Sequence, residues 1–299
     1  MTTGEWLRIL LLAAVWGISF FLTEICLRDL GPVTLACARV GLASFALLGI
    51  AVLKGEQFPS GLADWGPLAA MGLINNALPF SLIMWGQTRI NSGLASILNA
   101  TTPLFAFVLA HLLTSDERMT FRGAAGVGIG FLGAVVLIGP SALGGLGAES
   151  WGQIAVLSAA LSYALAGIFG RRLRRFSPTI AAAGMTAAAS IILLPPALFL
   201  ERPWNASPDG MTWVALATLA LVSTAAAYII YFRILATAGA TNLLLVTFVI
   251  PVVAVLLGAL ALDETVTLNA IAGMLLIFIG LSVIDGRALS AFAGLRARP

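Results

Sequence analysis

Ten stretches of about 20 mostly apolar residues follow one another along this chain, separated by short breaks of charge, Gly or Pro. A helix of that length spans the hydrocarbon core of a bilayer, so the spacing predicts a bundle of membrane-crossing helices. They are placed near 6–27, 32–53, 65–86, 92–113, 121–139, 151–170, 177–200, 211–235, 241–262 and 267–285. Composition agrees: 60% of the 299 residues are apolar and 10% charged. Soluble domains average about 45–50% and about 25%. That imbalance disfavours a soluble enzyme, a nucleic-acid module and a disulfide scaffold. The net charge of +3 comes from only 16 Lys and Arg, too sparse for a nucleic-acid surface. Cys26 and Cys37 form no framework; a disulfide between them is conceivable, but small apolar packing is favoured.

The first run resembles a signal peptide, with Arg8 ahead of it and Ala36-Cys37-Ala38 as a small-residue site. Glu24, Arg28 and Asp29 intervene, so it is read as a retained span. With the N-terminus cytoplasmic, the inner side collects Arg8, Lys54, Arg118, Arg122, Arg171, Arg172, Arg174, Arg175, Arg233, Arg287, Arg296 and Arg298. The outer side collects only Arg28, Arg89 and Arg202. This positive-inside bias places both termini in the cytoplasm and supports an even helix count. The run Arg171–Arg175 is read as a topology anchor at anionic head groups.

The chain also matches itself at a nearly constant offset. Trp65 falls on Trp213 and Pro103 on Pro251 at 148 residues; Glu117 falls on Glu264, Gly133 on Gly280 and Gly139 on Gly286 at 147; Pro32 falls on Pro178 at 146. The expected organisation is a first five-helix repeat over 1–140, a linker over 141–150, a second repeat over 151–287 and a basic tail over 288–299. Five is odd, so the repeats are inverted in the membrane, a common transporter architecture with a site near the midplane. The fold class is therefore all-α and polytopic, with ten transmembrane helices in two inverted five-helix repeats.

Several segments carry a family resemblance: Ala14-Val15-Trp16-Gly17-Ile18-Ser19-Phe20, Thr101-Thr102-Pro103-Leu104-Phe105 and Ser115-Asp116-Glu117-Arg118-Met119-Thr120. The second half repeats the latter two as Val249-Ile250-Pro251-Val252-Val253 and Leu262-Asp263-Glu264-Thr265-Val266-Thr267. They resemble the EamA branch of the drug/metabolite transporter superfamily, most nearly the YddG-type amino-acid exporters of bacterial inner membranes. The resemblance implies ten helices, two inverted repeats and export of amino acids or related metabolites.

The offset also selects candidate substrate-binding residues. Asn75 pairs with Ser223, Asn76 with Thr224, Asn99 with Thr247 and Phe80 with Tyr228. Polar groups at the midplane are costly unless they face a wet cavity or bond across helices. Taken singly, each is equally consistent with helix–helix hydrogen bonding. Trp16, Thr102, Ser162 and Tyr163 complete the expected lining. Pro79, Pro103 and Pro251 are candidate hinges, since a mid-helix Pro frees the carbonyl four residues back. Trp6, Trp65, Trp85, Trp151 and Trp213 sit at segment ends and suit an interfacial belt.

Charges inside the spans are few. Glu24 and Arg39 are expected to pair or to snorkel outward, and Asp285 lies near the inner end of its helix. With no carboxylate at the midplane, transport is expected to be facilitative. Gly128-Ile129-Gly130-Phe131-Leu132-Gly133 fits the dinucleotide fingerprint but lies in an apolar helix, where Gly126 and Gly130 suit close packing. His111 has no catalytic constellation around it, and no cofactor or metal is expected. The expected partners are a small-molecule substrate and the lipid bilayer, with no nucleic acid. Monomer and homodimer both fit. The function expected is a secondary transporter exporting amino acids by alternating access. The alternatives are a multidrug or other metabolite exporter, proton-coupled in one version, and more remotely a channel or a membrane enzyme.

Overall fold

Four helices begin where a side chain caps them. In the computed structural model, Thr2 and Glu5 form a reciprocal capping box at the start of α1. Asn91 Oδ1 accepts from Leu94 N–H (2.8 Å), Ser177 Oγ from Ile180 N–H (3.2 Å) and Asp209 Oδ1 from Thr212 N–H (2.7 Å). Pro32 and Pro178 occupy first-turn positions, where a missing N–H costs nothing. The structure describes residues 2–113, 120–138, 147–238, 243 and 245–285. The expected Glu117 partner of Glu264, most of the 141–150 linker and the 288–299 tail lie outside them.

Among the described residues ten apolar helical stretches result: α1 Thr3–Cys26, α2 Pro32–Leu53, α3 Leu62–Gln87, α4 Ser92–Leu113, α5 Phe121–Ile138, α6 Ala148–Leu173, α7 Pro178–Glu201, α8 Gly210–Thr237, α9 Val246–Ala261 and α10 Leu268–Ile284. The first eight are long and apolar enough to cross a membrane, and α9 and α10 are shorter apolar helices. Among the described residues there is no strand. Large apolar side chains such as Phe45 (75% exposed), Ile191 and Phe199 point outward, while Asn76, Ser96 and Thr186 are fully buried. A soluble protein shows the reverse. The arrangement suits a solvent of lipid chains.

Every helix of the first half meets the second half through a matching partner. The principal neighbours are α2 with α7 and α8, α5 with α10, α4 with α9, α1 with α8 and α9, α3 with α6 and α7, and α4 with α6. Exchanging α1–α5 for α6–α10 returns the same set. Contacts at the ends fix direction. Glu201, at the end of α7, accepts from Val33 and Thr34 N–H (3.0 and 2.7 Å) at the start of α2. Lys54 Nζ, at the other end of α2, donates to Thr179 of α7 (3.1 Å). The two helices are antiparallel. Glu264, just past α9, likewise accepts from Ser92 and Gly93 N–H (2.8 and 3.1 Å), making α4 and α9 antiparallel. Both carboxylates meet helix N-termini, where orphan N–H groups and the helix dipole favour an anion. Gly258 leaves room for Glu264, whose carboxylate a Cβ there would strike.

The α5–α10 pair packs backbone to backbone. A Cβ on Gly133 would lie 2.7 Å from the Gly273 carbonyl oxygen, and one on Gly126 would lie 2.7 Å from that of Gly280. The glycine pattern is thus a helix-packing face rather than a nucleotide loop. Cys26 and Cys37 are free and buried, their thiols turned to the carbonyls of Thr212 and Ser190.

Candidate functional site

The polar centre of the molecule is built on two turns of π-helix. One covers Leu73–Ala77 in α3 and the other Leu221–Ala226 in α8, at the repeat offset of 148 residues. A π turn inserts one residue into a helix and is frequent at functional sites. Each turn presents two adjacent polar residues, Asn75 with Asn76 and Ser223 with Thr224.

Pro79 acts differently from a simple kink. Leu78 N–H bonds the carbonyl five residues back, on Leu73. In that register the next donor is residue 79, where Pro has no N–H. The freed carbonyl is therefore that of Ile74, not of Asn75. Ser162 of α6 donates to it at 2.6 Å. In α8 the equivalent bond is made by the backbone, Ala227 N–H to Val222 carbonyl. Both helices thus carry the π turn, with Pro79 after it in α3 and Ala227 in its place in α8.

The side chains on these turns converge. Tyr228 Oη donates to Asn76 Oδ1 (2.9 Å) and accepts from Asn75 Nδ2 (3.1 Å). Asn75 Nδ2 also lies 3.1 Å from Asn76 Oδ1 and 3.9 Å from the Met185 sulfur. Asn76 is fully buried, and its Nδ2 has no hydrogen-bond partner among the described residues. Thr224 Oγ1 donates to the Leu219 carbonyl (2.8 Å), and Ser223 Oγ to the Val15 carbonyl of α1 (3.2 Å).

Arg39 of α2 enters the same place. Its Nε donates to Thr224 Oγ1 (2.9 Å), Nη2 lies 3.5 Å from the Ser223 carbonyl, and the guanidinium sits 4.2 Å from the Phe80 ring centre. The expected Glu24–Arg39 pair does not form. Glu24 accepts instead from Gln87 Nε2 (3.4 Å) near the end of α1. Arg39 is only seven residues into α2, about 10 Å along it, but its long side chain points inward to α8. Sequence reading placed Arg39 by its backbone, and so missed it as a site residue. The available signal was a lone Arg in an otherwise apolar run.

Of the sequence candidates, Asn75, Asn76, Phe80, Ser223, Thr224 and Tyr228 are thus brought together. Tyr163 packs against the same core and lies within electrostatic reach of the guanidinium. Trp16 stacks obliquely on Tyr231 (5.9 Å), a ring that sequence reading did not select. Asn99 and Thr102 bond locally where α4 breaks at Ala100-Thr101: Thr102 Oγ1 donates to the Asn99 carbonyl (2.7 Å), the one that Pro103 frees. Thr247 and Pro251 lie on α9, the former half-buried and the latter buried within a continuous helix.

A separate polar cleft of about 240 Å³ opens at one end of the bundle, lined by Glu24, Arg28, Gln87, Arg89, Asn91 and Glu264 among others. It lies at the end expected to face outward.

Comparison with known proteins places this architecture. Residues 5–139 and 150–284 each match the EamA-like transporter family. The chain is 28% identical over 283 residues to a probable amino-acid metabolite efflux pump of Salmonella typhimurium, covering 92% of each. It is 26% identical over 254 residues to the inner membrane transporter YedA of Escherichia coli, covering 85% of this chain and 81% of that one. A transporter of Archaeoglobus fulgidus is 25% identical over 282 residues, 94% of this chain and 98% of the other. A crystal structure superposes with a TM-score of 0.70 at 18% identity, over 98% of this chain and 99% of that one, and shows the shared fold. With a family match to each half and ten apolar helices between them, the chain is a multi-span membrane protein that belongs to the EamA-like transporter family.

Proposed function

We propose that this protein exports amino acids, aromatic and hydrophobic ones included, and related metabolites across the inner membrane. The observation that carries the reading is the polar cluster of Asn75, Asn76, Ser223, Thr224 and Tyr228. It straddles α3 and α8, hence the two halves, and Arg39 of α2 joins it. Amides, hydroxyls and aromatic faces in an apolar setting recognise amphipathic solutes. The two halves act as inverted repeats over 1–140 and 151–287. Support comes from antiparallel α2/α7 and α4/α9 pairs, equivalent π turns and a family match to each half. Alternating access follows from rocking one half against the other, with Pro79, Pro103 and Pro251 as hinges. The Salmonella relative's name supports the substrate class. Both termini face the cytoplasm, and the work is transport rather than catalysis.

Transport is facilitative in this reading. Proton coupling is the second reading, favoured by Glu24, a carboxylate lining the polar cleft. Counterflow in proteoliposomes, with labelled amino acids and cationic dyes as solutes, tests both. Amino-acid flux that persists when the proton gradient is collapsed is the expected result. Flux of dyes alone would replace the substrate class, and flux abolished with the proton gradient would establish coupling.

A further inference from the structure

Among the described residues the central site holds one full charge, and no counter-ion stands beside it. Arg39 is 7% exposed. Among the described residues no carboxylate pairs with it; its partners are a hydroxyl, a distant carbonyl and an aromatic face. Guanidinium carries five N–H donors, and Nη1 has no acceptor here among the described residues. A buried cation without an anion is costly, by more than its hydroxyl and ring contacts return. Nearby, the buried Asn76 Nδ2 is a second donor with no partner.

Packing alone does not require this charge. The residue 146 positions on, at the equivalent place in α7, is Met185. Its sulfur approaches Asn75 of α3 just as Arg39 approaches Ser223 and Thr224 of α8. The same inter-helix contact is therefore made with a neutral thioether in one half and a guanidinium in the other. At this contact the halves differ by one positive charge with free donors.

We propose that Arg39 anchors the carboxylate of the transported solute, so that a free carboxylate is the feature every substrate shares. The proposal rests on the reading of the central cluster as the transport site. The planar guanidinium suits bidentate capture of a carboxylate. Asn76 Nδ2 supplies a further donor, and Phe80, Tyr163 and Tyr228 face the rest of the solute. The amino acid's ammonium group then has hydroxyl and amide oxygens to meet rather than a fixed anion. The anchor accordingly selects on the carboxylate and is permissive toward the other end.

The test compares each amino acid with its amide, which differs only at the carboxyl group. Purified protein in detergent is titrated with L-leucine against L-leucinamide and L-phenylalanine against L-phenylalaninamide, with lactate and benzoate as simple carboxylates, reading the rise in melting temperature. The acids should stabilise the wild type and the amides should not. Arg39→Met should weaken acid binding about 100-fold and erase the acid–amide difference. Arg39→Lys, which keeps the charge and loses the fork, should weaken it about tenfold with the preference intact; it decides the matter if the Met variant does not fold. Equal binding of acid and amide, or unchanged acid affinity in either variant, overturns the anchor. Binding of lactate and benzoate but of no amino acid would retain the anchor and overturn the amino-acid reading. Binding of no carboxylate at all overturns the anchor itself.

Discussion

Tyr228 joins α8 to α3 through one hydroxyl that both donates to Asn76 and accepts from Asn75. Tyr228→Phe keeps the ring and removes both bonds, at a cost of about 1–1.5 kcal/mol. Roughly a tenfold fall in transport at equal expression is expected, measured as initial uptake in proteoliposomes. Asp29 offers a pH handle outside the spans. The Thr212 hydroxyl (2.6 Å), and after it the Asp209 N–H (3.1 Å), hold its carboxyl below the usual carboxylate range. A lowered folded-state pKa stabilises above the unfolded value of about 4, and the contribution is lost as pH falls through the folded value. The melting temperature of the wild type should therefore exceed that of Asp29→Ala at pH 6–7. The gap should narrow below about pH 4. A gap that widens on acidification would contradict this account.

At the scale of elements, α5 and α10 depend on absent side chains. Gly133 has the Gly273 carbonyl where a Cβ would be, whereas Gly128, also on α5, has open space around it. Gly133→Leu should separate the helices and abolish a monodisperse gel-filtration peak. Gly128→Leu, on the same helix, should leave the peak unchanged. Helix existence and limits were legible in the sequence because apolar run length and caps such as Asn91, Ser177 and Asp209 are local properties. The π turns were not legible. Leu78 bonds Leu73 rather than Ile74, and α8 makes the same turn with Ala where α3 has Pro, so no residue type common to both marks it.

At the scale of the whole molecule, the polar cleft at the end of the bundle is lined from both halves, by Thr88 between α3 and α4 and by Leu262 after α9. If the halves rock, tying these points should stop them. In a background with Cys26 and Cys37 replaced by Ala, cysteines at positions 88 and 262 joined by a short cleavable dimaleimide should arrest transport. Cleaving the linker should restore it. Transport that continues through the cross-linked protein would contradict alternating access in favour of a channel.

The linear sequence by itself determined the solvent, the number of helical spans and the family, and it raised the expectation of two matching halves. These follow from apolar run length, charge placement and a nearly constant offset, all readable one residue after another. It also named most of the central cluster, because polar residues repeated at that offset are rare in apolar helices. Only the tertiary structure decided where Arg39 directs its charge. A seven-atom side chain can snorkel outward to water or reach inward across the bundle, and nothing local distinguishes the two. The choice was made by Thr224, Ser223 and Phe80, contributed by α8 and α3. The interior looked neutral along the chain because Arg39, the one buried guanidinium among the described residues, stands near a helix end in sequence and at the polar centre in space.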